Sequence, residues 1–500
     1  MVIGCFTVRS SRLEEKRRLE VSFYQRFRPL QAHRELPIGF GLTIRRFCFF
    51  PGKGYLANKR CHGMGRIPLL TTVFLVVGNM VGTGVFTSLG FQLEKLSTGF
   101  SIAFLWLLGG IASLCGALSY GELSAAIPRS GGEYSLLRRI YHPVVGFLAA
   151  FLSSTVGFGA PIALASMAFG AYASAAFPGS SPSALAWAIA TLLTLLQLGR
   201  VDLRARFQEA ATGLKVLLIL LLSASSFLLT QGQPISFAPT GPALREMTGA
   251  SFAASLVYVM YSYSGWNASV YIAEEVRNPQ RTVPLSLAIG STIVIVLYVA
   301  LNVAFLHAAP ITQMRGIIEV GMIAGRHIFG ESGGRIVAGA ISLGLLSSIA
   351  AMTWMGPRVA MAVGEDYPAL RWFAHRNREG VPSRALLFQY GVVLLLLATG
   401  TFSQVLTYIQ FTLTLSWFAT VLGVFVLRWR EPDLARPYRA WGYPWTPLFF
   451  LAVCLWMLWD LFWTMPKESL AGLGTLLLGL PVYALVRRGA PPSPNPPPSP

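Results

Sequence analysis

Charge is scarce in this sequence. Only 12% of its 500 residues are Asp, Glu, Lys or Arg, about half the fraction found in soluble globular domains. Apolar residues instead form runs of about 16 to 28 residues, the length that a helix needs to cross a bilayer. A membrane β-barrel would show shorter segments of alternating polarity. With a mean hydropathy of +0.56, the sequence predicts an all-α polytopic membrane protein.

Cysteine and histidine are also few. The five cysteines and six histidines show none of the short fixed spacings that metal sites and disulfide frameworks require. Histidine, Asp and Glu form no cluster of the kind that catalysis needs. We therefore expect isolated thiols, no metal site, no cofactor and no enzymatic activity. The cysteines are Cys5, Cys48, Cys61, Cys115 and Cys454.

The two ends of the chain differ from its middle. Residues 1–66 hold 14 Lys or Arg against 4 Glu, and so supply +10 of the net charge of +19. Because the positive charge is concentrated at one end, we expect no nucleic acid partner. This segment lacks the layout of a signal peptide, so it is either a disordered basic cytoplasmic tail or the result of a start codon annotated upstream of Met64. Residues 489–500 hold 7 prolines in 12 positions, which predicts a disordered tail.

The apolar runs predict twelve membrane-spanning helices. If the N-terminus is cytoplasmic, the loops on that side hold 18 Lys or Arg and the opposite loops hold 6. This bias supports that orientation, and an even number of helices then places both termini on the cytoplasmic side of a cell membrane. The predicted spans are residues 67–89, 100–127, 144–170, 185–198, 207–229, 251–276, 283–308, 336–363, 385–400, 405–427, 446–463 and 470–486.

Two of these spans are interrupted by glycine at matching places. The first contains "GNMVGTGVF" and the sixth contains "YSYSGWNAS", which runs from Tyr261 to Ser269. A single Gly-x-Gly would more simply reflect close helix packing. Breaks in the first helix of two five-helix halves instead indicate an inverted repeat. We expect the repeats over residues 67–229 and 251–427, followed by two extra helices over 446–486.

A broken helix exposes backbone groups that hydrocarbon cannot satisfy. The half-helix after the break presents N–H groups and the positive end of its dipole. The half-helix before the break presents free carbonyls. A gap of this kind suits the carboxylate and the ammonium of an α-amino acid.

Four motifs carry a resemblance to a known family. "GNMVGTGVF" resembles the G-x-x-x-G-[ST]-G-[IV]-F signature of the amino acid–polyamine–organocation (APC) transporters. "YGELSAAIPRSGGEY", "YSYSGWNASVYIAEEVRNPQRTVPLSL" and "REPDLARPYRAWGYP" are similar to that family's first cytoplasmic loop, sixth helix and loop after the tenth helix. The resemblance extends from Gly65 to Arg488 and is strongest to bacterial stand-alone, L-type permeases. It implies the five-plus-five fold and amino acid transport by alternating access, as a symporter or an antiporter.

The resemblance also implies which residues bind the substrate. The carboxylate would meet backbone N–H groups of the first helix, and the ammonium would meet carbonyls of the first and sixth helices. Tyr261 falls where relatives place an aromatic gate, although a packing role is an equal alternative. The implied carboxylate site is Thr83 and Gly84, the implied ammonium site is Met80, Val81, Tyr261, Ser262 and Ser264, and Gly82 and Gly265 complete the two breaks.

Acidic residues are nearly absent from the helices that would line the pocket. No Asp or Glu occurs from Tyr134 through Val201, nor in helices 8 and 10, and helix 6 carries Glu274 and Glu275 only at its cytoplasmic end. Because an unpaired buried charge is costly, the pocket is predicted to take a neutral amino acid. A cationic amino acid or a polyamine is the alternative. A membrane sensor is less favoured, because neither tail could form an output domain.

Lys215 is the only lysine predicted inside a spanning helix. It could be a snorkelling residue near the inner face. The resemblance suggests a coupling role, because several family members have a lysine where sodium-coupled proteins of this fold bind sodium. The ammonium would then lie beside carbonyls of helix 1 and the pair Ser347 and Ser348. Such a lysine could gain and lose a proton, which fits either proton symport or exchange.

Two further predictions concern the loops. Glu122 and Glu133 flank the first cytoplasmic loop with Arg129, Arg138 and Arg139, and we interpret them as a gating or topogenic charge cluster. Eukaryotic members of the family that pair with a glycoprotein heavy chain use a cysteine between helices 3 and 4. The corresponding loop here, "ASAAFPGSSPSA", has none, so we expect no disulfide-linked heavy chain.

Overall fold

Helices supply all the extended regular structure in the described part of the chain. The computed structural model describes residues 67–199 and 204–487. Within those residues nine helical segments are long and apolar enough to cross a membrane, and no β-strand occurs. The chain is therefore a multi-pass membrane protein, as its composition predicts. Three further apolar helices are shorter, Pro182–Leu198, Ala250–Ser262 and Ser383–Thr399.

Seventeen α-helices are described. They are α1 (Leu69–Met80), α2 (Gly84–Gln92), α3 (Gly99–Ala126), α4 (Glu133–Ile140), α5 (Pro143–Leu152), α6 (Gly159–Ala176), α7 (Pro182–Leu198), α8 (Arg204–Leu229), α9 (Gly241–Thr248), α10 (Ala250–Ser262), α11 (Pro279–Ala308), α12 (Ile311–Met314), α13 (Val320–Asp366), α14 (Ser383–Thr399), α15 (Phe402–Arg430), α16 (Trp445–Thr464) and α17 (Pro466–Val486). A π-helical turn, Ser153–Gly157, joins α5 to α6, and two 3-10 helices cover Ala268–Glu275 and Pro368–Leu370.

Every predicted span overlaps at least one of these helices, and the eighth and sixth spans differ most from the prediction. α13 begins at Val320 rather than at residue 336, and Gly330, with φ of 78°, interrupts its helical geometry. The sixth predicted span is divided into α10 and the 3-10 helix that follows it. The predictions for residues 1–66, with their three cysteines, and for 489–500 lie outside the described residues. Cys115 and Cys454 are buried free thiols.

Aromatic side chains fill the centre of the helix bundle. Trp106, Tyr263 and Tyr298 are fully buried, and the Trp106 ring meets Tyr298 edge-on at 5.7 Å between centroids. Such edge-to-face pairs contribute beyond their buried area. Large apolar residues also cover the outside, and Leu228 is 80% exposed. The protein is therefore apolar both inside and outside, as a lipid environment requires.

The first and sixth predicted spans are joined by backbone hydrogen bonds where α1 begins. The Ile67 N–H donates to the carbonyl of Glu275 at 2.9 Å, and the Arg277 N–H donates to the carbonyl of Ile67 at 2.9 Å. This short parallel bridge joins the residues before α1 to the end of the 3-10 helix. We call it the Ile67–Val276 bridge.

Glu122 anchors the end of α3 to the end of α15. Its carboxylate accepts hydrogen bonds from the Arg428 guanidinium at 2.7 and 2.8 Å and from the Ala440 N–H at 2.8 Å. Arg436 lies 3.7 Å away, and the Glu122 side chain is only 2% exposed. Glu122 therefore pairs across the fold rather than with the arginines of its own loop.

Replacing Arg428 with methionine is expected to destabilise the protein by about 3 kcal/mol, because it leaves a buried carboxylate short of its main partner. Arg139→Met is the matched control, since Arg139 pairs with Glu431 at 2.6 Å in a surface ion pair whose side chains are 40% and 34% exposed. Its loss is expected to cost less than about 1 kcal/mol. Thermal unfolding of the two variants in detergent measures the difference, and equal melting temperatures would contradict this assignment.

Candidate functional site

The first break occupies residues 81–83, between α1 and α2. α1 ends at Met80 and α2 begins at Gly84, as the Gly-Thr-Gly motif predicts. A Cβ on Gly84 would lie 2.5 Å from the Cα of Ser262 in α10. Glycine is therefore required here, because the first break touches the backbone of the other interrupted helix.

The second break occupies residues 263–267, after α10. Gly265 adopts φ of +94°, a conformation that only glycine adopts readily. The Asn79 side-chain amide donates to the Gly265 carbonyl at 3.1 Å. Asn79 thus joins the last turn of α1 to the second break.

Hydroxyl groups link the two breaks. The Thr83 hydroxyl lies 3.2 Å from the Tyr261 hydroxyl, and the hydroxyls of Ser88 and Ser262 are 2.9 Å apart. All four side chains are buried. The breaks are therefore adjacent and held at a fixed separation.

Two carbonyls before the first break are already bound by side chains. The Met80 carbonyl accepts from the Tyr298 hydroxyl at 2.6 Å and from the Gly82 N–H at 2.7 Å. The Val81 carbonyl accepts from the Lys215 amine at 2.9 Å. By contrast, the first N–H groups of α2 have no carbonyl within their own helix. The gap therefore offers donors for an anion more freely than it offers the Met80 and Val81 carbonyls for a cation.

A cavity of about 90 Å³ lies between the breaks, large enough for several water molecules. Of the nine residues predicted to bind substrate, eight line it and Val81 does not. The eight are Met80, Gly82, Thr83, Gly84, Tyr261, Ser262, Ser264 and Gly265. The sequence-predicted residues are thus brought together around one space.

Other parts of the wall were missed by the sequence reasoning. The π-helical turn contributes Ser153 and Gly157; such turns often occur at functional sites, but nothing in an apolar run marks them. Thr412 and Ser416 of α15 also line the cavity. Their spacing of four places both on one face of an apolar helix, and this signal could have found them.

Glu133 is the most consequential residue that was missed. It lines the cavity and is 4% exposed. Its carboxylate accepts hydrogen bonds from Tyr120 at 3.0 Å, from Asn267 at 2.5 Å and from the Tyr271 hydroxyl. We expected Glu133 to belong to a charge cluster with Arg129, Arg138 and Arg139. Its observed partners are different, because the loop turns Glu133 toward the cavity.

Lys215 is buried beside the first break. Its amine donates to the Val81 carbonyl at 2.9 Å and to the Ser348 hydroxyl at 2.7 Å, and the residue is 2% exposed. Ser347 donates instead to the Gly344 carbonyl of its own helix at 2.8 Å. Of the predicted coupling residues, Lys215 and Ser348 are therefore in contact, and Ser347 is next to them.

Comparison with known proteins finds similarity to amino acid permeases and amino acid transporters. A family model described as amino acid permease matches residues 67–480. The chain is 27% identical to Asc-type amino acid transporter 1 of Mus musculus, over 86% of this chain and 82% of that protein. It is 27% identical to Large neutral amino acids transporter small subunit 2 of Oryctolagus cuniculus, over 87% and 82%. It is 26% identical to b(0,+)-type amino acid transporter 1 of Mus musculus, over 75% and 78%.

Proposed function

Because this chain belongs to the amino acid permease family, it is an amino acid transporter rather than an enzyme, and we propose that it carries neutral amino acids by alternating access. The observation behind this proposal is the cavity between the two breaks. The N-terminus of α2 offers donors and positive partial charge for the substrate carboxylate. The end of α10 offers carbonyls for the ammonium.

The neutral class is supported by how the cavity's one acid is bound. The sequence argument held that no acid lines the pocket, and Glu133 corrects it. Its two oxygens already accept three hydrogen bonds from neutral side chains, so a cationic substrate would have to displace one of these donors to pair with it directly. One relative is named for large neutral amino acids. A cationic amino acid or a polyamine remains the alternative substrate.

We propose that Lys215 couples transport to protons or to exchange. Its amine occupies a position between the first break and α13, where a bound cation would otherwise be needed to satisfy the Val81 carbonyl. Protonation of this amine could therefore be linked to the geometry of the break. Proton symport and amino acid exchange both fit this arrangement.

We propose that the described helices form twelve spans, with an inverted repeat of five plus five and both termini cytoplasmic. The matched breaks and the 18-to-6 distribution of Lys and Arg support this topology. The loop between α6 and α7 has no cysteine. The transporter is therefore proposed to work without a heavy chain disulfide-linked at that loop.

Uptake into proteoliposomes tests the proposal. Labelled neutral amino acids should accumulate when a proton gradient is imposed or when the vesicles contain an unlabelled amino acid. Lysine and a polyamine, tested in parallel, should be taken up poorly. Preferred uptake of either cation would favour the alternative substrate class, and ligand binding without uptake would favour a sensor.

A further inference from the structure

The cavity wall contains a buried carboxylate that forms no ion pair with any described side chain. Glu133 is 4% exposed, and its hydrogen-bond partners are Tyr120, Asn267 and Tyr271, all neutral. No Lys or Arg whose side chain is described, in residues 67–199 and 210–487, forms an ion pair with it. Glu133 is also the first residue of α4, where the helix dipole favours an anion.

Of the three basic residues nearest to Glu133 along the chain, Arg129 is exposed and the other two are paired with other carboxylates. Arg138, in the same helix, binds Asp366 at 2.6 Å, and Arg139 binds Glu431 at 2.6 Å. The Lys215 amine donates to Val81, which is not in the cavity wall. Among the described side chains, Glu133 is therefore held by neutral hydrogen-bond donors alone.

Glu133 lines the same cavity as the two breaks, where the substrate is proposed to bind. Asn267 donates to its carboxylate at 2.5 Å, and Asn267 is two residues from Gly265 of the second break. Two residues span at most about 7 Å, so a substrate held at the breaks lies within reach of this charge. Two like charges about 8 Å apart in protein surroundings change a binding equilibrium by more than about tenfold.

We propose that Glu133 makes the transporter selective for side-chain charge, so that acidic amino acids are rejected while neutral amino acids of the same shape are accepted. This inference rests on the proposed transport of neutral amino acids. Rejection through a like charge in the wall is a common source of specificity. Glutamine and glutamate, and asparagine and aspartate, are pairs that differ in charge with nearly the same size.

Competition in proteoliposomes tests this proposal. Uptake of a labelled neutral amino acid is measured while unlabelled glutamine or glutamate is added, and the other pair is tested in the same way. For the wild-type protein, the half-inhibitory concentration of glutamate should exceed that of glutamine by at least about tenfold. In Glu133→Gln the two concentrations should agree within about threefold, a ratio that does not depend on the absolute uptake rate of the variant.

Two variants serve as controls. Glu365→Gln removes an exposed carboxylate that is paired with Arg376 at 3.0 Å and should keep the wild-type preference. Glu133→Asp keeps the charge and should also keep it. Equal competition by glutamine and glutamate in the wild-type protein would overturn the proposal even if Glu133→Gln failed to fold, and so would an unchanged preference in a folded Glu133→Gln. If the wild-type protein takes up no neutral amino acid at all, the proposed function itself fails.

Discussion

Replacing Gly84 with alanine is expected to reduce amino acid uptake by at least about 100-fold, since displacements near 1 Å at a positioned site can have effects of that size. The new Cβ would lie 2.5 Å from the Cα of Ser262, and contacts under 3.0 Å essentially never occur. Because the obstacle is backbone, α2 and α10 must separate. The hydroxyl contacts of Thr83 with Tyr261 and of Ser88 with Ser262 would then be lost.

Gly82→Ala is the matched control in the same break. A Cβ on Gly82 would come no closer than 3.8 Å to the Met80 carbonyl oxygen, so uptake should stay within about threefold of wild type, as for sites without steric conflict. Both variants are measured as initial uptake rates, normalised to folded protein from size-exclusion chromatography. Comparable activity in the two variants would show that close contact between the breaks is not needed for transport.

Replacing Lys215 with methionine is expected to lower the uptake rate by at least about tenfold and to remove its dependence on pH. The variant leaves the Val81 carbonyl and the Ser348 hydroxyl without the donor that binds both, and unsatisfied buried groups of this kind cost about 1–3 kcal/mol. The first break would lose the contact that ties it to α13. Uptake is measured at about pH 5 to 8.

Lys95→Met makes the same chemical change at an exposed lysine and should leave both the rate and its pH dependence unchanged. A Lys215→Met protein that keeps the wild-type rate and pH profile would leave the snorkelling interpretation in place. A protein that keeps the rate but loses the pH dependence would separate proton coupling from the structural role of the amine.

The two breaks could be predicted because their signal is local. Gly82, Gly84 and Gly265 weaken the helices that contain them, and a membrane allows such weakening only where something else satisfies the backbone. Because the two motifs occur at matching positions in the two halves, each break is expected to lie against the other. For this reason eight of the nine predicted binding residues line one cavity, although no contact between helices could be read from the sequence.

The position of Glu133 could not be predicted, because it depends on a turn and on distant side chains. Gly131 and Gly132 adopt positive φ of 114° and 59°, and a Cβ on Gly132 would overlap the Tyr271 ring, lying 2.6 Å from its Cζ. The sequence "SGGEY" indicates a loop, but not that this loop packs against the cavity. The acid therefore looked like part of a solvated charge cluster.

The hydrogen bonds to the Met80 and Val81 carbonyls could not be predicted from the sequence either. Their donors, Tyr298 and Lys215, come from α11 and α8, more than 130 positions along the chain. Helix periodicity says which face a residue occupies, but not which neighbouring helix it meets. Free carbonyls before a break were a sound expectation from helix geometry alone, and tertiary packing supplied partners for two of them.

The Ile67–Val276 bridge has a mechanical consequence. Two backbone hydrogen bonds of 2.9 Å fasten the start of one interrupted helix to the far end of the other, while Asn79 and Gly265 fasten them again at the centre. Two helical segments that are joined at two points cannot rotate independently of each other. We therefore expect α1 and the 3-10 helix after the second break to move together as one unit.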